Sequence, residues 1–184
     1  MKAWQHFKTI TRHRHLVMFG CFRIGLIRQG LAHDLSKYMP TEFRVGAKYY
    51  QGISSPNGAE RRDKGYSEAW MHHKGRNRHH FEYWTDFSLE TGRYEAVPVP
   101  RRYLAEMIMD RIAACKVYQG EKYTDASPLN YFLSSRDRRI MHPRTERELE
   151  YLLTMLRDKG EKETCLYLKT HLLRGKPLPW EEEA

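Results

Sequence analysis

Apolar residues recur along most of the chain at three- and four-residue steps, the spacing of one face of an α-helix. The first such segment covers residues 2–27, and its apolar stripe includes His13. Residues 101–119 form a second strong helical pattern, in which Asp110 shares a stripe with Tyr103, Met107, Ala114 and Val117. A carboxylate on a face otherwise suited to burial needs a cation, a hydrogen-bond network or a metal ion. Both helices are therefore expected to carry a polar side chain inward.

Apolar spacing, proline and glycine predict the rest of the organisation. The further helices are predicted at residues 40–50, 59–64, 145–159 and 161–173, the last two separated by Gly160. Residues 53–58 and 90–100 are predicted connectors, and the tail after residue 175 is expected to fray. No alternating pattern persists long enough to build a sheet. The chain is predicted to be an all-α single domain of residues 1–184, with its core in about residues 1–120 and additional C-terminal helices in about residues 145–173.

Charge and cysteine content narrow the partners and the compartment. The formal charge of +9 favours anionic partners, whether phosphorylated small molecules or nucleic acid. Cys21, Cys115 and Cys165 are odd in number and lie far apart, which is simplest in a reducing compartment, so a cytoplasmic location is expected. No signal peptide is recognised. No segment approaches the roughly 20 apolar residues that span a bilayer, so no membrane partner is expected.

The stretch from Leu31 to Lys37 joins a histidine, a carboxylate and a lysine in an apolar setting. His33 and Asp34 can each bind a first-row metal ion when deprotonated. Because adjacent helical side chains project about 100° apart, the two reach one centre only if the backbone is irregular there, or if two ions are present. Gly30 is the predicted break in the helix. Lys37 then lies close enough to hold an anionic substrate over the metal.

Residues 69–84 form the densest polar cluster, with aromatic residues on both sides. Its histidines are His72, His73, His79 and His80, and its cations include Lys74, Arg76 and Arg78. Gly75 and Asn77 predict a turn between two helices, which can aim imidazoles at one point. A solvated basic loop and a nucleic-acid contact are the alternatives. The density of histidine favours a metal site, since lysine and arginine alone would serve phosphate binding.

Two of the candidate ligands also have purely structural interpretations. His13 is compatible with a buried histidine that is hydrogen-bonded to a neighbour, and for a single histidine this is the more frequent case. Asp110 is equally compatible with an ion pair to an arginine. Their spacing alone does not choose between these interpretations and metal binding.

The order His13, His33-Asp34, histidine-rich segment and Asp110 resembles the HD-domain superfamily of metal-dependent phosphohydrolases. The L-x-H-D-x-x-K sequence at residues 31–37 is similar to the box of that superfamily. The chain is also similar to an uncharacterised bacterial and phage family that carries H-D-L-S-K-x-x-P-x-E-F, here residues 33–43, and a histidine segment, here residues 73–84. Ser36 stands where the superfamily usually has glycine. The resemblance implies an HD-domain-like helical bundle.

The resemblance implies one or two divalent transition-metal ions of Mn, Fe, Co, Ni or Zn. It makes His13, His33, Asp34 and Asp110 the core ligands, and His73 with His79 or His80 the ligands of a second ion. His72 would be packed or support a ligand. The two groups of extra histidines are only six or seven residues apart, which is closer than in two-ion relatives.

The activity implied by the resemblance is hydrolysis of a nucleotide or another small phosphate ester by a metal-bound hydroxide. Asp34 would position that hydroxide and Lys37 would neutralise phosphate charge. Lys74, Arg76 and Arg78 would bind phosphate oxygens. The alternatives are a di-iron oxygenase of the same fold, and a basic helical module that binds nucleic acid without catalysis.

Overall fold

Long helices of the N-terminal half and the C-terminal region enclose one core. The computed structural model describes residues 1–181, apart from the side chain of Arg138. Its helices are α1 (Lys2–Ile24), α2 (Ile27–Ala32), α3 (Pro40–Lys48), α4 (Pro56–Lys64), α5 (Glu68–Lys74), α6 (Arg101–Gln119), α7 (Ser127–Leu133) and α8 (Pro143–Thr170). The predicted all-α class is confirmed. None of the described helices combines the length and apolarity needed to cross a bilayer.

The helices α1, α6 and α8 supply most of the buried apolar side chains. They include Val17, Cys21, Ile24, Leu104, Ile108, Ile112, Leu149, Leu152 and Leu156. Gly20 allows the close approach of α1 and α6, since a Cβ there would lie 2.8 Å from the Met109 sulfur. Burying these side chains is the main stabilising term for the bundle. The same contact brings the polar residue of each stripe, His13 and Asp110, to the same level of the core.

The break before the His-Asp doublet does not lie at Gly30, so that prediction was wrong. α1 ends at Gly25, which adopts the left-handed conformation with φ 87°. Gly30 lies inside α2 and is buried. A larger residue would not fit there, since a Cβ would come within 2.9 Å of Cys21 Cβ and 3.0 Å of the Met18 carbonyl oxygen. Its role is close packing of α2 on α1. The chain leaves the helix only after Ala32.

The predicted connector at residues 90–100 contains a strand. β1 (Thr85–Ser88) and β2 (Arg93–Ala96) form an antiparallel hairpin in which Thr85 pairs with Ala96. Gly92, with φ 66°, lies in the turn between them. Four-residue strands with mostly exposed side chains carry no alternating apolar pattern, which is why the sequence did not reveal them. This hairpin is the only sheet in residues 1–181.

The C-terminal region follows the predicted helices but not the predicted tail. α8 is interrupted at Gly160, whose φ of 79° is not helical, so the predicted boundary is confirmed. The expected fraying after residue 175 is wrong as far as residue 181. Leu178 is fully buried, Trp180 packs edge-on against Tyr151, and Arg101 forms an ion pair with Glu181 at 2.6 Å. Residues 182–184 of that predicted tail lie outside the described part of the chain.

Candidate metal centre

The His-Asp doublet lies in an irregular turn between α2 and a short 3₁₀ helix at Leu35–Tyr38. Asp34 has φ 54° and ψ 23°, and it is the one residue other than glycine with a positive φ among residues 1–181. Aspartate tolerates this left-handed conformation better than most residues, and such conformations cluster at functional sites. Arg14 on α1 holds the turn by donating to the carbonyls of His33 at 3.2 Å and Leu31 at 2.6 Å. The irregular backbone expected from the spacing is therefore present.

A first group of four side chains gathers where α1, this turn and α6 meet. Its members are His13, His33, Asp34 and Asp110, whose potential ligand atoms all lie within 4.8 Å of one another. His13 Nε2 is 3.0 Å from Asp110 Oδ1 and 3.5 Å from Asp34 Oδ2. His33 Nε2 is 3.4 Å from Asp34 Oδ2. Asp110 thus lies against His13 and His33 rather than in the arginine ion pair that the sequence allowed. We call these four side chains the first group.

A second group shares Asp34 with the first. It comprises Asp34, His73, His79 and His80, again with ligand atoms within 4.8 Å of one another. Asp34 Oδ1 is 3.3 Å from His73 Nε2 and 3.5 Å from His79 Nε2. His80 Nε2 is 2.9 Å from His73 Nε2. One carboxylate oxygen of Asp34 therefore faces each group, so this single side chain could contribute to two ion sites.

The unpaired atoms of this cluster fit divalent cations. The Nε2 atoms of His33 and His79 and the Oδ1 atom of Asp34 are buried and form no aligned hydrogen bond. Asp34 Oδ2 is buried too, but it forms an ion pair with Lys37 Nζ. His13 Nε2 is likewise buried, and its approach to Asp110 is not aligned for a hydrogen bond. Buried polar groups without partners are costly, and here they converge on common points. Imidazole and carboxylate donors suit Mn, Fe, Co, Ni and Zn.

Burial of its histidines excludes a solvated basic loop as the structure of the histidine-rich segment. His73 and His79 are 2% and 1% exposed, so they do not belong to a solvated basic loop. The expected turn follows α5, although the segment after it is a short 3₁₀ helix at Phe81–Tyr83 rather than a second α-helix. This turn folds His79 and His80 back towards His73.

Glu106, which the sequence interpretation missed, lies behind both groups. Its Oε1 accepts from His33 Nδ1 at 2.9 Å and is 3.2 Å from His79 Nδ1. Gln29 Nε2 donates to its Oε2 at 2.6 Å. Burial acts to raise the pKa of Glu106, but the hydrogen bonds from the two histidines outweigh it and lower the pKa to about 2. The available signal was its position four residues before Asp110, on the same face of α6.

Glu42 gives the second group a similar support. Its Oε2 is 2.8 Å from His73 Nδ1, and its Oε1 is 2.6 Å from His72 Nδ1. Asn77 Nδ2 donates to Ser36 Oγ at 2.9 Å, which itself lies 3.3 Å from His73 Nδ1. Carboxylates behind ligating histidines fix the ring tautomer and orientation in metal sites. Polar residues of both sequence motifs thus contact His73, and His72 contacts the same glutamate, Glu42, rather than a side chain of either group.

Electrostatics keep the carboxylates of the cluster ionised. Burial acts to raise the pKa of Asp34 and of Asp110, but the neighbouring histidines outweigh it, so both pKa values lie well below the usual range. Burial, followed by His79 and His73, lowers the pKa of His80. At neutral pH the carboxylates are therefore ionised, and His80 is neutral with a lone pair available. Burial acts to lower the pKa of His33, but Asp34, Asp110 and Glu106 raise it well above its usual value, so a metal ion that binds there displaces a proton.

Of the cations predicted to bind substrate, Lys37 contacts the cluster, whereas Lys74, Arg76 and Arg78 do not. Lys37 Nζ lies 2.5 Å from Asp34 Oδ2, and its side chain is 29% exposed. Burial acts to lower the pKa of Lys37, but Asp34 and Asp110 raise it, so the side chain remains a cation. Arg76 and Arg78 are exposed, and Arg78 donates to the Tyr103 hydroxyl at 3.3 Å.

Lys74, Arg76 and Arg78 are not brought into the cluster itself. Within the described chain, none of the three forms a hydrogen bond or ion pair with the side chains of either group, although Arg76 donates to the His72 carbonyl at 3.4 Å. Lys74 is the last residue of α5, and Arg76 and Arg78 follow it in the loop that carries His79 and His80.

Comparison with known proteins gives one match. The model of a family of unknown function, DUF5662, matches residues 2–155, which include every side chain of both groups. Searches of curated proteins and of solved structures find no significant match. Because the matched region covers most of the 184 residues, the chain belongs to the DUF5662 family.

Proposed function

We propose that this protein is a metal-dependent phosphohydrolase that acts on a nucleotide or another small phosphate ester. The observation that carries the proposal is the position of Asp34. Its two carboxylate oxygens face two different groups of histidines, and the ammonium of Lys37 lies beside it. The resemblance to the HD-domain superfamily supports the same reaction and an HD-domain-like bundle.

The side chains of the two groups would hold two divalent ions, with Asp34 shared between them. When bound, such ions supply a water of lowered pKa and stabilise negative charge on a phosphoryl group. His13, His33 and Asp110 complete the first group, and His73, His79 and His80 complete the second.

Lys37 would bind and orient the phosphate. Its side chain lies where the buried cluster meets solvent, so its charge is available to a ligand arriving from outside. Anionic phosphate oxygens are stabilised by such a fixed cation more strongly than in bulk water, because the surrounding protein screens less. Arg76 and Arg78 are exposed, and their guanidinium groups can bind phosphate oxygens in a bidentate manner. The overall charge of +9 favours an anionic substrate.

The proposal is tested by hydrolysis assays on the metal-loaded protein. The chain is stripped with chelator, reloaded separately with Mn, Co, Fe, Ni or Zn, and assayed against a panel of nucleotides and phosphomonoesters. We expect phosphate release with at least one metal, and a rise in KM for Lys37→Met without loss of bound metal. Lys48→Met, which removes an exposed lysine of α3, is the matched control.

Two results would contradict the proposal. The first is the absence of turnover with every metal when both ions are shown to be bound. The second is a protein that binds no metal but retains DNA or RNA at moderate salt, which would favour the non-catalytic nucleic-acid module.

The second group favours one further candidate, a di-iron oxygenase. His73, His79 and His80 give the second ion three imidazoles, and histidine with carboxylate ligands suits iron. Iron-loaded protein would then change its visible absorption on exposure to air. A colourless, redox-silent protein that hydrolyses phosphate esters would remove this candidate.

A further inference from the structure

We infer that Glu106 is a positioning residue that couples the two groups, so that the two ions bind as a pair rather than independently. The inference rests on the proposed two-ion site and concerns its assembly. Asp34 joins the groups on the side of the ions. Glu106 joins them again on the opposite side of the imidazole rings, through a single carboxylate oxygen.

The contacts of Glu106 Oε1 reach one histidine of each group. His33 Nδ1 is 2.9 Å away and belongs to the first group, while His79 Nδ1 is 3.2 Å away and belongs to the second. The two rings also lie against each other, with centroids 4.4 Å apart. Glu106 itself is 5% exposed, so water does not replace these contacts.

This geometry fixes the protons of both rings. An ionised carboxylate only accepts hydrogen bonds, so each imidazole must carry its proton on Nδ1. In the neutral form of each ring Nε2 then carries the lone pair, and it is directed into the cluster, where neither atom has another hydrogen-bond partner. Glu106 therefore prepares one ligand of each ion at the same time.

The two rings are coupled because Glu106 cannot move away from one of them without disturbing its contact with the other. Its second oxygen is held by Gln29 Nε2 at 2.6 Å, and Gln29 also donates to the Arg102 carbonyl at 3.2 Å. An ion in the first group orders His33, which fixes Glu106 and hence His79. The second ion then finds its ligand already oriented, which is positive cooperativity.

Glu42 provides a matched comparison within the same chain. It is a buried carboxylate that also contacts two imidazole Nδ1 atoms, but of those only His73 belongs to a group. Its loss should therefore weaken the ion of the second group directly, and the ion of the first group only through the loss of its paired ion. The two glutamates differ in whether they reach one group or both.

The experiment titrates chelator-stripped protein with Co²⁺ and follows calorimetric heat and cobalt absorption. We expect two ions per wild-type chain in one steep transition. Glu106→Gln should weaken both ions, each by about 10- to 100-fold, and remove the steepness. Glu42→Gln should weaken the second ion directly by a similar factor, while the first ion still binds at the affinity it has alone, so that the single transition splits into two steps. Thermal unfolding of each apoprotein confirms that the variants are folded.

Gln29→Leu gives a second test that keeps both carboxylates. It frees Oε2 of Glu106, and we expect two bound ions with a shallower transition. Independent binding in the wild type, or a Glu106→Gln variant that weakens one ion only, would overturn the inference. These outcomes are separate from the fate of the proposed function. Paired ions without phosphate ester hydrolysis would contradict the function alone, whereas hydrolysis with independently bound ions would contradict the coupling alone.

Discussion

The two groups of the candidate metal centre are built in different ways. The first group takes His13 from α1, Asp110 from α6 and the doublet from the turn between them, so its geometry follows from long helices packed in the core. The second group takes three histidines from eight successive positions, on a seven-residue helix and the loop after it. A short helix has few packing contacts of its own, so hydrogen bonds from other elements must fix those rings.

The comparison shows which contact relates the two groups. α3 carries Glu42, which orients His73, and α3 packs on α1, which carries His13. At that contact Gly46 of α3 lies against the buried ring of His6 on α1. The fit between Gly46 and His6 therefore contributes to the position of the second group relative to the first, in addition to the shared Asp34 and to Glu106.

The largest expected effect comes from the residue that both groups share. Asp34→Ala removes an oxygen from each group and leaves five imidazoles facing one another, so we predict that both ions are lost. Affinity should fall by more than about 100-fold, beyond the usual effect of a supporting residue. Metal per chain after desalting into chelator-free buffer is the measurement. Asp158→Ala, at an exposed position, is the control. Retention of two ions by Asp34→Ala would contradict the shared-carboxylate arrangement.

A pair of variants separates the groups. His13→Gln removes a ligand from the first group only, and His80→Gln removes one from the second only. We predict one bound ion per chain for each variant at saturating metal, measured by elemental analysis, and a wild-type value of two. Loss of both ions from His80→Gln alone would mean that the first group cannot hold an ion by itself.

The difference between long packed helices and short irregular segments also explains how much of the site could be predicted from the sequence. The sequence predicted the long helices α1, α6 and α8 because a helical apolar pattern that extends over many residues remains recognisable when single positions depart from it. The irregular turn at Asp34 was expected because neighbouring helical residues cannot face one point. The resemblance to known metal sites gave the ligand series, and the structure brings those side chains together.

The supporting residues were missed for physical reasons. Glu106 lies within a helix whose other charged residues are mostly exposed or half-buried, and charge alone does not reveal a tertiary partner. Glu42 belonged to the motif noted in the sequence, but its role appears only when α3 is placed against α5. Contacts between elements distant in sequence set both roles, whereas periodicity reports only the face of a single element.

The contact between α1 and α3 leaves no space for a side chain at Gly46. A Cβ at Gly46 would lie 2.2 Å from His6 Nε2, and because His6 is buried its ring cannot move freely. We predict that Gly46→Ala lowers the free energy of unfolding by about 1–3 kcal/mol, the usual cost of overpacking. It should also weaken the ion of the second group more than that of the first, because α3 carries Glu42. Denaturant unfolding and cobalt titration measure the two effects.

Gly58→Ala is the matched control for this substitution. Gly58 lies in α4, and a Cβ there would meet only the Arg62 side chain at 3.8 Å. Replacing a helical glycine with open space around it should be neutral or stabilising by up to about 1 kcal/mol. Equal destabilisation by both substitutions would show that the fit between Gly46 and His6 is not what limits the contact.

The smallest expected effect concerns the pH dependence of the same contact. Burial, followed by the charge of Lys37, lowers the pKa of His6 from its ordinary value of 6.5 to about 4. The unfolded chain therefore binds more protons than the folded chain between these two values, so stability rises with pH in this window. The contribution of neutral His6 is complete above pH 6.5 and is lost as the pH falls towards 4.

We predict that the wild type loses on the order of 1–2 kcal/mol more stability than His6→Phe between pH 7 and pH 5. Phenylalanine keeps an aromatic ring against Phe43 and Tyr50 but cannot be protonated. Urea unfolding of the metal-free proteins at both pH values measures the difference, and His15→Phe, at an exposed position of α1, should retain the wild-type dependence. An unchanged dependence in His6→Phe would assign the acid sensitivity to other groups, such as the histidines of the metal centre. The contact between α1 and α3 would then join the two groups by packing alone, without responding to pH.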